Sequence, residues 1–243
     1  YDYHPRLAVL TRCVEQGRET RLEYDRFGRL TGETSIVDKA HKSASYTYSL
    51  GGRPLSCIDV LGEPHETDYD EAGRPRTFTH RALKTTFTYN PLGQLASVVA
   101  RDLQGSGSMV TRLAYDDFGR EVSRTFEFGE GVSQVLSSTY TPTGKLARKT
   151  LKQDKEVLRD EHFTYDSRGR LSLYACEGTQ RPRDPQGKEI IQQQFTFDAL
   201  DNILTLETRF PGGENLATFE YSATDPTQLT GISNDHADYP TSA

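Results

Sequence analysis

The sequence predicts an all-β protein, a curved antiparallel β-meander of stacked hairpins, from three observations. A tyrosine recurs at steps of 20 to 32 residues, usually with a glycine four positions after it. Triplets of aromatic, polar and aromatic residues precede many of these tyrosines, which is the period of two that strands show. The best helical candidate, residues 154–161, is too short to be stable alone and is predicted to be a charged turn that enters a strand.

The recurring motif divides residues 1–243 into about nine repeats. The four clearest copies read Tyr-Asp-x-x-Gly-Arg and begin at Tyr24, Tyr69, Tyr115 and Tyr165. Three looser copies begin at Tyr48, Tyr89 and Tyr140, and two that lack the glycine begin at Phe197 and Tyr221. A period of this length is typical of repeat architectures, so we predict one elongated array over the whole chain.

The motif itself predicts a tight hairpin turn. Aspartate suits the first position of a type I turn because its carboxylate accepts a hydrogen bond from a backbone N–H two residues later. Glycine then suits the left-handed residue that closes the turn with a one-residue bulge. In the two degenerate copies, Asp201-Asn202 and Asp225 stand in place of the glycine. We therefore predict turns at 25–28, 70–73, 116–119 and 166–169, and positive φ at Gly28, Gly73, Gly93, Gly119, Gly144 and Gly169.

The segments beside each turn are predicted to be strands. Phe87-Thr88-Tyr89 and Phe163-Thr164-Tyr165 are examples of the triplets that precede the turns. Apolar residues follow the turns and are expected to face the aromatics across each hairpin; they are Leu30, Leu55, Leu95, Val122, Leu146 and Leu171. A second, more variable turn is predicted in each repeat, at 16–17, 104–107, 129–131, 153–155, 184–187 and 211–213.

Composition excludes several functional classes. The chain has 34% apolar residues, no tryptophan and a net charge of −6, which suits a sheet with one apolar face. No basic run is present, so nucleic-acid binding is not expected. No apolar stretch has the length of a membrane span, and no targeting signal is visible. Because repeat arrays need capping elements and none is apparent here, we expect a fragment of a longer polypeptide.

No catalytic, cofactor-binding or metal-binding residue is predicted. The histidines do not pair at metal-ligand spacing along the chain; they are His4, His41, His65, His80, His162 and His236. The cysteines Cys13, Cys57 and Cys176 are far apart and are expected to be small, partly buried thiols. Each motif aspartate stands alone in its turn, so we interpret it as a turn former and not a calcium ligand.

Three further patterns have structural interpretations. Thr143-Gly144-Lys145 lacks the first glycine and the final hydroxyl residue of a phosphate-binding loop. The arginine after each motif glycine is expected to be an exposed ion-pair partner, which contributes little stability. The repeated tyrosines are expected to pack across strands, although stacking against a sugar is the alternative.

The Tyr-Asp-x-x-Gly-Arg-Leu series resembles the YD repeats of the Rhs family, which includes bacterial polymorphic toxins and the B and C components of Tc toxin complexes. The resemblance extends over nearly the whole chain, from about Tyr3 to Tyr239. Segments 197–203, 225–229 and 238–240 are similar to long Rhs proteins that carry an SpvB-like region upstream. In this family the repeats form a hollow β-shell that encloses a C-terminal toxic polypeptide.

The resemblance implies a non-enzymatic segment of the shell wall. Its partners would be the remainder of the parent polypeptide and the enclosed toxin or effector, and the segment would be secreted or delivered as part of the parent protein. The conserved core segment that the family uses for shell closure and autoproteolysis is not found in this sequence. Asn90-Pro91-Leu92-Gly93 resembles the start of that segment but lies in register with the repeats. The rival interpretation is an extracellular module that binds carbohydrate or a partner protein through its sheet face. Free strand edges are expected near 22–24 and 219–221, and self-association is expected through them.

Overall fold

A computed structural model describes residues 1–241, which form twenty β-strands and one short 3₁₀ turn at Gly129–Gly131. The strands of the first half are β1 (Asp2–Tyr3), β2 (Leu10–Glu15), β3 (Arg18–Tyr24), β4 (Leu30–Val37), β5 (Ala40–Tyr48), β6 (Pro54–Ile58), β7 (Pro64–Tyr69), β8 (Pro75–His80), β9 (Leu83–Tyr89) and β10 (Leu95–Asp102). Those that follow are β11 (Ser108–Tyr115), β12 (Glu121–Phe128), β13 (Ser133–Tyr140), β14 (Leu146–Gln153), β15 (Glu156–Tyr165), β16 (Leu171–Glu177), β17 (Gln192–Phe197), β18 (Ile203–Phe210), β19 (Gly213–Tyr221) and β20 (Leu229–Asn234).

The chain divides into two compact units, Tyr1–Thr111 and Arg112–Ala243. In the first unit each strand from β1 to β10 pairs antiparallel with the next strand in the sequence. In the second unit the strands from β12 to β20 follow the same rule. The predicted all-β antiparallel meander is therefore confirmed. In the described part of the chain no helix is long and apolar enough to cross a membrane.

The predicted turn geometry is also confirmed. In the first copy the N–H of Gly28 donates to the carbonyl of Asp25 at 3.0 Å, and the N–H of Asp25 donates to the carbonyl of Arg29 at 2.9 Å. The strand register then shifts by one residue, which places Tyr24 opposite Leu30 and leaves the expected bulge. All six of the predicted glycines have φ between 77° and 83°.

One of the two degenerate copies departs from the prediction. Asp201 has a φ of 71° and does replace the glycine, as expected. Asp225 does not, because it begins its turn instead of closing it: its carbonyl accepts the N–H of Gln228 at 2.9 Å. The turn is longer for this reason, and the N–H of Ser222 donates to the carbonyl of Gln228 across its base.

In seven of the motif copies the residue that faces the motif aromatic lies six positions after it, whereas Tyr221, before the longer turn, faces Leu229. Leu30, Leu95, Leu146 and Leu171 occupy this position as predicted. Leu55 does not, since Pro54 is the partner of Tyr48. By the same count the sixth position after Tyr115 is Glu121, one residue before Val122.

In strands such as β7, alternation separates a half-buried face from an exposed polar face. In β7, His65, Thr67 and Tyr69 are half-buried, whereas the residues between them are exposed. The exposed face carries cross-strand hydroxyl pairs just before the motif tyrosines; these are Thr47–Ser56 and Thr88–Ser97 at 2.7 Å and Thr196–Thr205 at 2.5 Å. Such pairs stabilise strand pairing modestly.

All six buried apolar residues in the described part of the chain lie in the second unit. Tyr174, Cys176 and Ile190 form one cluster, against which Phe163 and Leu171 pack. The cluster exists because the longest step between motifs contains an excursion after β16. The N–H of Cys176 donates to the carbonyl of Ile191 at 2.8 Å, which holds this excursion against the strand.

The predicted strand edges are wrong. Residues 22–24 belong to β3, which pairs with both β2 and β4, and residues 219–221 belong to β19, which pairs with both β18 and β20. The segments before Tyr24 and after Tyr221 lack the full motif, yet they still form strands. Their pairing uses backbone groups, which every sequence supplies and which the motif does not reveal.

We expect Gly28→Ala to lower the free energy of unfolding by roughly 1 kcal/mol, because a Cβ is penalised at positive φ. A Cβ at this position would meet open space, so the whole cost arises from the backbone. Gly28→Asn is the matched control and should cost less, since asparagine tolerates this conformation. Urea unfolding of the three proteins measures the difference; equal stability of the alanine variant and the parent would contradict it.

Candidate functional site

The motif aspartate organises each turn through both of its carboxylate oxygens. In the first copy, Oδ1 of Asp25 accepts the backbone N–H of Phe27 at 2.8 Å and that of Arg29 at 3.1 Å. Oδ2 accepts Nε of Arg29 at 2.6 Å. Asp116 and Asp166 repeat all of these bonds. The arginine is therefore fixed by its own turn and is more than an exposed ion-pair partner.

These hydrogen bonds favour the ionised carboxylates. The backbone N–H of Arg74 and then its guanidinium hold the pKa of Asp70 below its usual range. The guanidinium of Arg120 lowers the pKa of Asp116 in the same way. The turns consequently carry a fixed negative charge beside a fixed positive charge at neutral pH.

Six of the motif tyrosines join their repeat to the preceding one through the hydroxyl group. The hydroxyl of Tyr48 donates to the carbonyl of Leu30 at 2.7 Å, which is the residue six positions after the previous motif tyrosine. The same bond recurs at 2.6 to 2.9 Å through Tyr69, Tyr89, Tyr140, Tyr165 and Tyr221. The tyrosine position therefore matters for its hydroxyl as well as for its ring.

The cation of each turn lies over the aromatic ring of the next motif. The guanidinium of Arg74 lies 4.3 Å from the ring centre of Tyr89, and that of Arg120 lies 4.5 Å from Tyr140. The same contact occurs from Arg29 to Tyr48, Arg53 to Tyr69, Lys145 to Tyr165 and Arg170 to Phe197. Each such contact contributes about 0.5–1 kcal/mol at an exposed site. We call this arrangement the inter-repeat junction. It consists of the cation of one turn on the aromatic ring of the next motif, together with the tyrosine hydroxyl bond where a hydroxyl is present.

The motif glycine also lies close to the inter-repeat junction. A Cβ added at Gly73 would overlap the guanidinium end of Arg53, and one at Gly169 would overlap the ammonium end of Lys145, whereas at Gly93 and Gly144 it would make ordinary contact with the preceding arginine at 3.5 and 3.8 Å. The glycine therefore lies beside the cation of the preceding repeat at several junctions, while its positive φ is the feature that all of these turns share.

Two turns of the same kind lack the tyrosine and were not recognised as motif copies. In the turn that begins at Asp59, Oδ1 accepts the N–H groups of Leu61 and Glu63 at 2.8 and 3.0 Å, and Gly62 has a φ of 84°. Asp184 forms the same bonds in the 184–187 turn, for which the sequence predicts only a variable turn. The spacing Asp-x-x-Gly alone is the signal that finds both.

The structure brings together three residues that the sequence keeps apart. Single ligand atoms of Asp59, His65 and His80 all lie within 4.8 Å of one another. Oδ2 of Asp59 lies 3.2 Å from Nε2 of His65, and the backbone N–H of Glu63 followed by the His65 ring lowers the pKa of Asp59 to about 2. Spacing along the chain missed this group because strand pairing places His65 opposite His80.

The cysteines and the lysine of the phosphate-loop-like stretch lie in places that the fold itself explains. Cys176 is buried beside Tyr174, and burial raises the pKa of its thiol, so it stays protonated at neutral pH. Cys13 and Cys57 are half-buried free thiols. Lys145, from the phosphate-loop-like stretch, donates from Nζ to the carbonyl of Gly169 and so serves the junction.

A charged group is buried in the second unit beside the apolar cluster. Oδ1 of Asp160 accepts Nε of Arg148 at 2.8 Å and the hydroxyl of Thr150 at 3.1 Å. The side chain of Asp160 is 12% exposed, and the guanidinium lowers its pKa to about 2. The ionised carboxylate is therefore part of the folded state.

Comparison with known proteins finds similarity in structure and none in sequence. No protein-family model matches the chain, and no curated protein matches it. A crystal structure of TcdB2–TccC3–Cdc42 aligns with a TM-score of 0.61 and 15% identity over 90% of this chain. A crystal structure of TcdB2–TccC3 without its hypervariable C-terminal region aligns with a TM-score of 0.61 and 16% identity over 92%. The fold is therefore shared with these proteins.

The alignments cover a small part of the larger proteins. This chain spans 14% of the chain in either of the two structures. The comparison consequently establishes the type of fold for this chain, and the activity of a whole protein is a separate question.

We expect the contact between Arg120 and Tyr140 to give a coupling of about 0.5–1 kcal/mol in a double-mutant cycle. The variants are Arg120→Ala, Tyr140→Leu and their combination, and the cycle removes the separate effect of the Asp116 bond. Arg120→Ala combined with Tyr165→Leu, which lies in a different junction, is the control and should show additive effects. Additivity in both cycles would contradict the junction.

We expect Asp160→Asn to lower stability at pH 7 by about 1–2 kcal/mol, because a charged hydrogen bond is lost beside a partly exposed arginine. A carboxylate with a lowered pKa contributes fully above its unfolded pKa, and this contribution is lost as the pH falls through its folded pKa of about 2. The difference between the variant and the parent should therefore shrink from about pH 4 downward. Urea unfolding across this range tests it, with Asp117→Asn in an exposed turn as the control; a difference that is independent of pH would contradict it.

Proposed function

We propose that this chain is a non-enzymatic structural segment of an Rhs-type YD-repeat shell that encloses a toxin or effector polypeptide. The inter-repeat junction is the observation that carries the proposal. It connects the turns of consecutive repeats through charged and aromatic side chains, while the strands connect through backbone hydrogen bonds. A wall needs such lateral continuity because an unpaired strand edge within it is a site for invasion by other chains.

Two further observations support this proposal. The motif series resembles YD repeats, and the fold is similar to that of TcdB2–TccC3 at a TM-score of 0.61. The depression bordered by Thr141, Lys145, Tyr165 and Asp166 is the junction between two repeats, which assigns its polar groups a structural role. The proposed partners are the remainder of the parent polypeptide and its enclosed cargo, with which the segment is secreted or delivered.

The turn tips supply apolar surface for contact with the rest of such a parent. Leu50, Leu92 and Phe118 are 96%, 84% and 83% exposed at the tips of their turns. A turn does not need these side chains for its own hydrogen bonds, and large exposed apolar groups favour contact with another surface.

Carbohydrate binding is the rival function, and the junction argues against it. Sugars stack on free aromatic faces, whereas a cation from the preceding repeat lies over Tyr48, Tyr89 and Tyr140. Stacking of a sugar on that side of the ring requires displacement of a guanidinium that is already bound to its own turn.

Limited proteolysis of the full-length parent protein tests the shell. We expect the polypeptide downstream of the repeats to survive protease in the native protein. It should be digested at least about tenfold faster in a variant with Tyr140→Ala and Tyr165→Ala, because two junctions are lost and the local opening free energy falls by about 3 kcal/mol. Thr88→Ala, on the exposed polar face, is the control.

Two outcomes would contradict the proposal. One is equal digestion of the downstream polypeptide in the native protein and the junction variant when both are folded by circular dichroism. The other is saturable binding of a glycan to the isolated chain that is lost on Tyr140→Ala, which would favour the carbohydrate-binding rival.

A further inference from the structure

The turn that begins at Asp59 differs from the other motif turns at the positions that build the junction. The residue before Asp59 is Ile58 where the motif has tyrosine, and the residue four positions after it is Glu63 where the motif has arginine. Oδ1 of Asp59 still accepts the two backbone N–H groups of its turn. Oδ2, which binds arginine in the clear copies, instead faces Nε2 of His65 at 3.2 Å.

Strand pairing adds a row of nitrogen and sulfur groups beside this oxygen. Cys57 on β6 lies opposite His65 on β7, and His65 lies opposite His80 on β8. The two imidazole rings are stacked with their centres 4.0 Å apart and their planes 8° from parallel. Cys57, Asp59 and His65 also line one open groove of about 520 Å³.

One atom of this group has no partner. Nε2 of His80 is buried, and none of the described residues makes a hydrogen bond to it. An unsatisfied buried nitrogen destabilises the folded state, so each such atom in a folded protein requires an explanation. A ligand bound at Nε2 would explain the unsatisfied nitrogen. The nearby carboxylate oxygen and the second imidazole indicate the chemical class of that ligand.

We propose that Asp59, His65 and His80 bind a divalent transition metal ion of the Zn²⁺ type, with Cys57 as the fourth ligand. Imidazole nitrogen, carboxylate oxygen and thiolate sulfur are the ligands that zinc prefers, at about 2.0–2.3 Å in a tetrahedral arrangement. The nitrogen and oxygen atoms in such a site are about 3.3 Å apart, and here they already lie within 4.8 Å of one another.

Binding requires a small side-chain rearrangement. A metal must lie close to the plane of each imidazole that binds it, so the parallel rings must tilt toward each other. Cys57 must rotate its sulfur toward the group, which is feasible because directly opposite residues have Cβ atoms about 5 Å apart. Asp59 needs no rearrangement, since its turn already fixes the carboxylate.

Such an ion would tie three neighbouring strands together. The site joins β6, β7 and β8 in the first unit, whereas the six buried apolar residues in the described part of the chain all belong to the second. A structural metal is one way in which a fold with little apolar core gains stability. This proposal is independent of the shell function.

Metal titration of the untagged 243-residue chain tests the site. After treatment with a chelator, we expect one equivalent of Zn²⁺ to bind with a Kd in the micromolar range or below, and to raise the Tm. Co²⁺ in its place should give the intense visible absorption of tetrahedral coordination. It should also give a near-ultraviolet thiolate band that disappears in Cys57→Ser. Tetrahedral cobalt without this band would overturn the assignment of Cys57.

Matched variants separate this site from other zinc-binding groups. Asp59→Asn should weaken Zn²⁺ binding at least tenfold and keep the turn, because Asn90 makes the same Oδ1 bonds in its own turn at 2.9 and 3.0 Å. His80→Gln should weaken binding as much, and His41→Gln, on an exposed strand position, should not change it. Equal affinity in the parent and the Asp59→Asn and His80→Gln variants, or a Kd above about 1 mM in the parent, would overturn the proposal.

Discussion

The arginine that follows each motif glycine is the residue on which the repeat depends most, because it acts in two repeats at once. Arg29 donates from Nε to Asp25 in its own turn, and its guanidinium donates at 2.8 Å to the carbonyl of Ser49 in the next. The same group lies over the ring of Tyr48. A planar guanidinium can satisfy a carboxylate, a carbonyl and an aromatic face together, which an ammonium on a flexible stem does less well.

Variation in the motif follows this constraint. Where Thr141 replaces the aspartate, Lys145 replaces the arginine, and it still reaches the carbonyl of Gly169 and the ring of Tyr165. Where Asn202 takes the place of the arginine, its amide donates at 2.7 Å to Asp198 and at 2.9 Å to the carbonyl of Pro226. The requirement is therefore for a donor that spans two turns, and several side chains fulfil it.

Stability in such a structure is mainly local. Most apolar side chains are half-buried, and the contacts that hold a repeat come from its neighbours, as expected for a repeat array. Many junction contacts of about 1 kcal/mol each take the place of a large core. The second unit supplements them with the cluster around Cys176. In the first unit, the divergent turn at Asp59 has lost its junction residues and carries the histidine pair instead.

The sequence by itself determined the all-β meander, the turns and the conformation of their glycines. These features are local: the positions of Asp25 and Gly28 define a turn through bonds within five residues. Tertiary structure decided which residues meet across strands and repeats. The arginine-to-tyrosine contacts span about one repeat, the stacking of His65 on His80 depends on register, and Asp160 is buried because a cross-strand arginine binds it. Motif spacing does not specify such pairs, because a shift of one residue in register exchanges the two faces of a strand.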